Sequence, residues 1–243
     1  FCLLYSHNSD KSPLEYELEI LELKNKLLEL EKELLENKIN KKDDIKNKGK
    51  RKTPNPNYVH NIDIGGSVVL GNPDAEVTVT KFTDFQWPYC AKSVSLIDEI
   101  LAKYPNDVKV VIKNFPLGSH KQAKKAAQYA LAAHKQGKYK EMYHAIFDDY
   151  KSLRSDEDLP KKIAAELGLD IERLMEDMNS QEISDLIDFE YQQLAKLRNA
   201  YPESDKYAAG VRIAVPKFFI NGREPAGRSV AQWSTLIDDE LKK

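Results

Sequence analysis

A long helical stretch, from about residue 120 to 201, lies between two β-rich segments, and this order constrains the fold more than any other feature. The first β-rich segment contains two predicted strands. Residues 77–82 (VTVTKF) and 108–114 (VKVVIKN) are rich in β-branched residues, which is typical of strands. Between them, apolar residues recur at the spacing of one helical face, at Leu96, Ile97, Ile100 and Leu101. The order strand, helix, strand predicts a β-α-β unit.

The segment that follows, from about residue 120 to 201, is predicted to be almost wholly helical. Ser155 and Asp158 have the spacing of a capping box at the start of one helix. Pro160 falls early in that helix, and Gly168 is placed to end it. This stretch therefore separates the β-α-β unit from a second β-rich segment.

The second β-rich segment is short and apolar, at residues 218–220 (FFI). Asn221-Gly222 follows, and this dipeptide predicts a tight hairpin turn because both residues adopt positive φ readily. A final helix is predicted after the turn, with one apolar face made of Val230, Trp233, Ile237 and Leu241.

Residues 14–40 differ in composition, because leucine, glutamate and lysine dominate and no glycine or proline occurs from residue 14 to 39. Apolar residues step alternately by four and three, at Tyr16, Ile20, Leu23, Leu27, Leu30 and Leu34. A second row repeats every seven residues, at Leu14, Leu21, Leu28 and Leu35. The heptads predict a coiled-coil helix that forms a homo-oligomer, and the broad stripe favours a trimer or larger bundle. The alternative is a single amphipathic helix folded back on its own domain.

Residues 41–66 are predicted to be a basic, flexible linker. Lysine and asparagine crowd residues 38–52, and Thr53-Pro-Asn-Pro-Asn57 follows. A basic run can contact nucleic acid or anionic lipid, but Asp43 and Asp44 interrupt this one and no aromatic residues interleave it. The formal net charge of the chain is only -2, so we expect no nucleic-acid partner.

Residues 1–13 are interpreted as the remainder of an apolar signal or anchor segment, beginning Phe1-Cys2-Leu3. Cys2 is either a lipid-attachment cysteine or an ordinary residue of a signal peptide. Membrane attachment is expected only if Cys2 is lipidated, because no run of eighteen or more apolar residues occurs. The segment predicts export to the periplasm or cell envelope.

Three separated motifs in the rest of the chain resemble the DsbA family of thiol-disulfide oxidoreductases. Residues 69–77, followed by Phe82-Thr-Asp-Phe-Gln-Trp-Pro-Tyr-Cys90, resemble the family's opening strand and its Phe-x-Asp-Phe-x-Cys-Pro-Tyr-Cys motif. Asn114-Phe-Pro-Leu117 resembles the next strand. Residues 210–222 resemble the segment Gly-Val-x-Gly-Thr-Pro-Thr-Phe-Phe-Ile-Asn-Gly. The resemblance covers about residues 68–243.

This resemblance implies an α/β thioredoxin fold at residues 67–118 and 206–243, with a helical insertion at 119–205. The family's first active-site cysteine stands at a helix N-terminus and attacks the substrate, whereas the second lies one turn inside. Trp87 occupies the first position in this chain, and Cys90 occupies the second. A dithiol cycle within one domain is therefore impossible.

Three interpretations of Cys90 follow. It is a shielded structural thiol, a catalytic monothiol that forms mixed disulfides, or a cysteine that pairs with Cys2 or across two chains. The first leaves a peptide-binding pseudoenzyme without catalysis, and the second leaves an oxidoreductase that needs an external thiol.

The predicted partners in either case are extended or unfolded proteins. The resemblance places the substrate-binding surface at Trp87, Pro88, Tyr89, Val215 and Pro216, with Pro216 at the family's cis-proline position. Trp87 either plugs the position of the missing cysteine or serves as an exposed aromatic anchor. The five histidines show no metal-ligand spacing, and the sequence predicts neither a metal nor a cofactor.

Overall fold

The computed structural model describes residues 17, 20–32, 34, 52–204 and 206–243. The chain divides into two compact units, Phe1–Lys52 and Thr53–Lys243. The predicted signal or anchor segment 1–13, with Cys2, lies outside the described residues, as do residues 41–51 of the predicted linker.

In the first unit, residues 20–32 form a helix, here called the N-terminal helix, and Glu17 and Leu34 are also helical. The large apolar side chains described in this unit are 50–61% exposed, and they are Ile20, Leu21, Leu23, Leu27, Leu28, Leu30 and Leu34. No helix of the described residues is both long enough and apolar enough to cross a membrane.

A four-stranded sheet lies at the centre of the second unit. It consists of β1 (Val68–Gly71), β2 (Val77–Thr83), β3 (Val108–Asn114) and β4 (Lys217–Ile220), in the spatial order β1-β3-β2-β4. β2 and β3 run parallel, whereas β1 and β4 are antiparallel to their neighbours. Nearly every residue of β2 and β3 is buried, as expected for central strands covered on both faces.

Two helices, α1 (Pro88–Ala91) and α2 (Val94–Lys103), connect β2 to β3 and confirm the predicted β-α-β unit. The helical stretch between β3 and β4 is also confirmed. It contains α3 (Ala123–Lys135), α4 (Tyr139–Asp148), α5 (Leu159–Glu166), α6 (Ile171–Met178) and α7 (Gln181–Lys196), with short 3-10 turns at Ser152–Arg154 and Leu197–Asn199. The last helix is α8 (Val230–Glu240).

The predicted capping box at Ser155 is wrong. The Ser155 hydroxyl donates a hydrogen bond back to the Ser152 carbonyl oxygen, at 3.3 Å, and α5 begins only at Leu159. Ser155 ends the preceding 3-10 turn, and Pro160 lies in the first turn of the helix. Gly168 ends α5 in the left-handed conformation, with φ +71°, as predicted.

The Asn221-Gly222 turn is confirmed, since both residues have positive φ and Ile220 and Arg223 exchange two backbone hydrogen bonds of 2.9 Å. α8 follows and buries the predicted face, with Trp233 and Ile237 fully buried.

The predicted flexible linker is wrong over residues 53–66, which pack against the second unit. Thr53 forms a bridge with Tyr207, the Tyr58 hydroxyl donates to the Ala200 carbonyl oxygen at 3.1 Å, and the His60 N–H donates to Gly222 at 2.8 Å. Aromatic contacts of Tyr58 and His60 with Tyr201, which is far away in the chain, also hold this segment in place.

Candidate functional site

The motif that carries the predicted site lies at the carboxyl end of β2 and the start of α1. Trp87 has an extended backbone, and its carbonyl oxygen accepts hydrogen bonds from the N–H groups of Cys90 (2.9 Å) and Ala91 (3.2 Å). Pro88 begins the helix, where its missing N–H is not needed. Trp87 therefore stands just before the helix, and Cys90 lies one turn inside.

Cys90 is completely buried. Its Sγ accepts a hydrogen bond from the Asp84 N–H at 3.4 Å, and its carbonyl oxygen accepts one from the Ser93 hydroxyl at 2.7 Å. Burial raises the pKa of the Cys90 thiol to about 11, against smaller opposing effects of the Asp84 N–H and the Lys81 ammonium. Because the thiolate is the reactive form, this thiol is almost entirely in its unreactive state at neutral pH.

A buried lysine lies directly behind Cys90. Lys81, in β2, has no exposed surface, and its Nζ donates hydrogen bonds to the Tyr143 hydroxyl (2.6 Å) and the Cys90 carbonyl oxygen (3.4 Å). Burial lowers the pKa of Lys81 to about 7, against smaller opposing effects of Cys90 and Asp98. The site therefore contains a titratable amine that has no contact with solvent.

Asp84 organises the loops around the motif. One oxygen of its buried carboxylate accepts a hydrogen bond from the Gln86 N–H at 2.7 Å. The other accepts from the Leu117 N–H at 2.7 Å and lies 2.9 Å from His120 Nδ1. An ionised carboxylate can only accept, so His120 donates from Nδ1 in this contact. Asp84 thereby ties the end of β2 to the loop after β3.

Three aromatic rings form a continuous row at the site. The ring centroids of His120 and Trp87 are 5.3 Å apart, and those of Trp87 and Tyr89 are 5.4 Å apart. Trp87 is half-buried, whereas Tyr89 is 55% exposed. Lys92 Nζ lies 5.5 Å from the Tyr89 ring centroid, within the range of a cation–π contact. Tyr89 therefore presents the most accessible aromatic surface of the motif.

The Val215-Pro216 peptide bond is cis, as the resemblance implies. The side chains of Val215 and Pro216 are buried. Within the described parts of the chain, the backbone of Val215 makes no hydrogen bond, so its N–H and C=O keep their pairing capacity. The Pro216 carbonyl oxygen accepts a hydrogen bond of 2.7 Å from Arg228 Nη2.

An open cleft of about 450 Å³ lies beside Tyr89, between the starts of α2 and α8. Its lining includes Tyr89, Lys92, Leu96, Glu99, Arg228 and Val230. Arg228 also hydrogen-bonds to the Pro216 carbonyl oxygen, so one side chain of the lining connects the cleft to the cis-proline.

The structure places the four predicted motif residues, Trp87 to Cys90, on a single turn, and Arg228 joins this region to Pro216. Sequence reasoning did not assign Lys81, Asp84 or His120 to the site. Two of these three residues had a signal in the sequence, since Lys81 interrupts a run of β-branched and aromatic residues and Asp84 belongs to the motif itself. Across the residues that the structure describes, no three or more His, Cys, Asp and Glu side chains are grouped to hold a metal ion.

Among curated proteins, the chain is similar to part of two Na(+)/H(+) antiporters named NhaA 1. It is 29% identical over 161 residues to the protein of Mycolicibacterium gilvum, covering 65% of this chain and 24% of that protein. It is 35% identical over 111 residues to the protein of Mycolicibacterium vanbaalenii, covering 45% of this chain and 18% of that protein. The chain thus spans a quarter or less of the length of these relatives.

Solved structures share the fold over most of this chain. A thioredoxin-like oxidoreductase from Silicibacter pomeroyi is 28% identical with a TM-score of 0.61, covering 76% of this chain and 99% of that chain. BdbD from Bacillus subtilis is 18% identical with a TM-score of 0.63, covering 80% and 100%. The alpha-DsbA1 of Wolbachia pipientis is 21% identical with a TM-score of 0.60, covering 74% and 94%.

A family model described as thioredoxin, Thioredoxin_4, matches residues 63–239. This range contains all four strands, the helical part between β3 and β4 and the Trp-Pro-Tyr-Cys motif. The predicted thioredoxin-like α/β fold with DsbA-like helical content is therefore confirmed. The chain belongs to the thioredoxin family and has the fold of its DsbA-like thiol-disulfide oxidoreductases.

Proposed function

We propose that the second unit binds extended or unfolded peptides and that Cys90 is a structural thiol. The observation that carries the proposal is a contrast within one helical turn. Cys90 is completely buried and its thiol has a pKa of about 11, whereas Tyr89 is 55% exposed. With Trp87 in place of the first cysteine, this turn keeps an aromatic surface for contact but lacks an accessible thiol.

The binding surface consists of Tyr89 and Trp87 as aromatic anchors, with Pro88 between them. Aromatic side chains provide large apolar contact areas, and Tyr and Trp are the residues most enriched at interfaces. The unpaired backbone of Val215 supports a second component of binding, because an extended peptide forms main-chain hydrogen bonds with such a segment.

Monothiol exchange is the second candidate function. It is favoured by the Asp84 N–H and the Lys81 ammonium, both of which stabilise a Cys90 thiolate. The Cys90 thiolate would attack a substrate disulfide, form a mixed disulfide and release the other substrate sulfur as a thiolate. An external thiol would then attack the mixed disulfide and regenerate Cys90.

The alkylation rate of Cys90 against pH separates these candidates, measured in a Cys2→Ser background so that one thiol reports. We expect negligible labelling at pH 7 to 8 in the folded protein, and rapid labelling in denaturant, because the thiol is buried and protonated. A Cys90→Ala variant provides the blank. Fast labelling of the folded protein at neutral pH would support monothiol exchange and reject the structural thiol.

Peptide binding is tested by fluorescence anisotropy with short synthetic peptides rich in apolar residues. Tyr89→Ser should weaken binding about ten-fold or more, as expected for an aromatic anchor at an interface. Phe189→Ser is the matched control, because Phe189 is also an exposed aromatic residue, at 39%, and lies on α7. Equal losses in both variants would contradict the assigned surface.

We propose that the N-terminal helix joins copies of the chain into a homo-oligomer. The support is the broad row of exposed leucines on the helix, since a contiguous apolar stripe of this kind marks an association surface. Several copies would then present their peptide-binding surfaces together and raise the avidity for long unfolded substrates.

Export to the periplasm or cell envelope is also part of the proposal. A periplasmic thioredoxin-like protein from Salmonella enterica shares the fold, at 16% identity with a TM-score of 0.55, covering 73% of this chain and 91% of that chain. Fractionation of cells that express the full-length protein tests the location, and recovery in the cytoplasmic fraction alone would reject it.

A further inference from the structure

The cleft beside Tyr89 carries two cationic side chains. Lys92 and Arg228 are exposed and line the same cleft of about 450 Å³. Neither forms an ion pair with a carboxylate among the described residues. The carboxylate of Glu224, four residues before Arg228 in the chain, is paired with Lys217, at 2.5 Å.

Arg228 is held in position by contacts that leave most of its donors free. Its Nη2 donates to the Pro216 carbonyl oxygen at 2.7 Å, and its Cζ lies 5.6 Å from the centroid of the Phe218 ring. A guanidinium group has five N–H donors in a planar fork that matches a carboxylate. Arg228 therefore offers a preorganised cation next to the cis-proline.

Apolar surface lies beside these cations. Tyr89, Leu96 and Val230 line the cleft, and the Lys92 ammonium stands 5.5 Å from the Tyr89 ring centroid. Glu99 is the one acidic side chain of the lining. An acidic ligand group is therefore favoured near Lys92 and Arg228, and disfavoured near Glu99.

We propose that this cleft selects peptides in which a carboxylate lies next to an apolar side chain. This inference rests on the proposed peptide-binding function and adds its substrate class. The apolar side chain packs on Tyr89, Leu96 and Val230, and the carboxylate binds Lys92 and Arg228. The carboxylate belongs either to an aspartate or glutamate side chain or to the C-terminus of the peptide.

Three amidated synthetic peptides test the selection, identical except for aspartate, asparagine or lysine after a Leu-Phe pair. We expect the aspartate peptide to bind the full chain about three- to ten-fold more tightly than the asparagine peptide, and the lysine peptide to bind most weakly. Raising the salt concentration should reduce the preference, because exposed charges are screened. Equal binding of all three overturns this inference and leaves the peptide-binding function standing, whereas no binding of any peptide overturns both.

Charge variants test whether the cleft is responsible for the preference for the aspartate peptide. Lys92→Gln should reduce the preference for aspartate about two- to five-fold, and Glu99→Gln should not reduce it. Lys161→Gln, an exposed lysine on α5, is the control and should leave it unchanged. An equal loss in the Lys92 and Lys161 variants would mean that only the overall charge matters, which overturns the assigned cleft.

The source of the carboxylate is resolved with the asparagine peptide carrying a free C-terminus. Tighter binding than its amidated form assigns the cleft to chain ends, whereas a preference confined to the internal aspartate assigns it to side chains. Either result supports the carboxylate site.

Vesicles with anionic phospholipids are the remaining probe, and binding to them without any peptide selectivity would overturn the proposal.

Discussion

The N-terminal helix and the β-sheet of the second unit show opposite relations between polarity and burial. Seven large apolar side chains, six on this helix and the seventh at Leu34, are 50–61% exposed. The sheet buries two lysines completely, Lys81 in β2 and Lys113 in β3. Polarity alone therefore predicts neither region correctly.

The difference depends on which neighbours each region has. Lys81 packs its aliphatic stem among aromatic rings, with Nζ 5.2 Å from the centroids of both Tyr143 and Phe147, and it finds two hydrogen-bond acceptors. The leucines of the helix are not covered by other side chains of their own described segment, and they stay exposed. A buried amine is tolerable when protein groups accept its hydrogen bonds and it can lose its proton, and an exposed apolar stripe is expected when a second copy covers it.

The largest expected effect concerns the helix. Leu27→Glu combined with Leu30→Glu places charges in the predicted seam and should convert the oligomer entirely to single chains. Light scattering measures the mass. Lys26→Glu changes a residue outside the seam and serves as control, so it should keep the oligomer. A wild-type protein that is already a single chain would contradict the self-association proposal.

The next effect concerns the pH dependence of stability through Lys81, whose pKa of about 7 lies below the ordinary lysine value of about 10.4. Between these values, the unfolded chain binds a proton that the folded chain does not, so Lys81 makes the free energy of unfolding rise with pH. Lys81→Met should remove this rise, a change on the order of 3 kcal/mol between pH 7 and 10, measured by urea unfolding.

Lys113→Met is the matched comparison for this experiment. Burial lowers the pKa of Lys113 to about 8, so its contribution should begin about one pH unit higher. Both variants are measured in a Cys90→Ala background, because the raised pKa of Cys90 acts on stability in the opposite direction. Identical pH slopes in Cys90→Ala alone and in Cys90→Ala combined with Lys81→Met would show that the buried amine does not titrate in this window.

The smallest effect concerns a single hydroxyl. Tyr143→Phe removes the acceptor 2.6 Å from Lys81 Nζ and should cost about 1–3 kcal/mol of stability, because a buried donor loses its partner. Tyr139→Phe is the control on the same helix, since the buried Tyr139 hydroxyl makes no hydrogen bond among the described residues. Its loss should be neutral or slightly stabilising, and an equal cost in both variants would contradict the role assigned to Lys81.

Local pattern was enough to predict several elements correctly. The β-α-β unit, the Asn221-Gly222 turn and the apolar face of α8 all depend on residues close together in the chain. The errors arose where distant residues compete with the local signal. Ser155 hydrogen-bonds to Ser152 in the preceding turn instead of capping α5. Residues 53–66 pack against the second unit through contacts such as the hydrogen bond from Tyr58 to Ala200.

The candidate site was predicted only in part for the same reason. The resemblance identified Trp87, Cys90 and Pro216 because they belong to contiguous motifs. Arg228 joins the cleft through the Pro216 carbonyl oxygen, and His120 joins the site through Asp84, 36 residues earlier. Each contact joins residues from separate segments, so no local sequence motif indicates it.

Two properties of this protein follow from its sequence alone. Tryptophan at position 87 leaves no thiol where the family resemblance places the first cysteine, and the leucine heptads create an apolar face on the first helix. The shielding of Cys90 and the position of Lys81 behind it depend on how the chain folds. Burial and pKa depend on what other elements bring close, and here α4 supplies Tyr143 from 62 residues away.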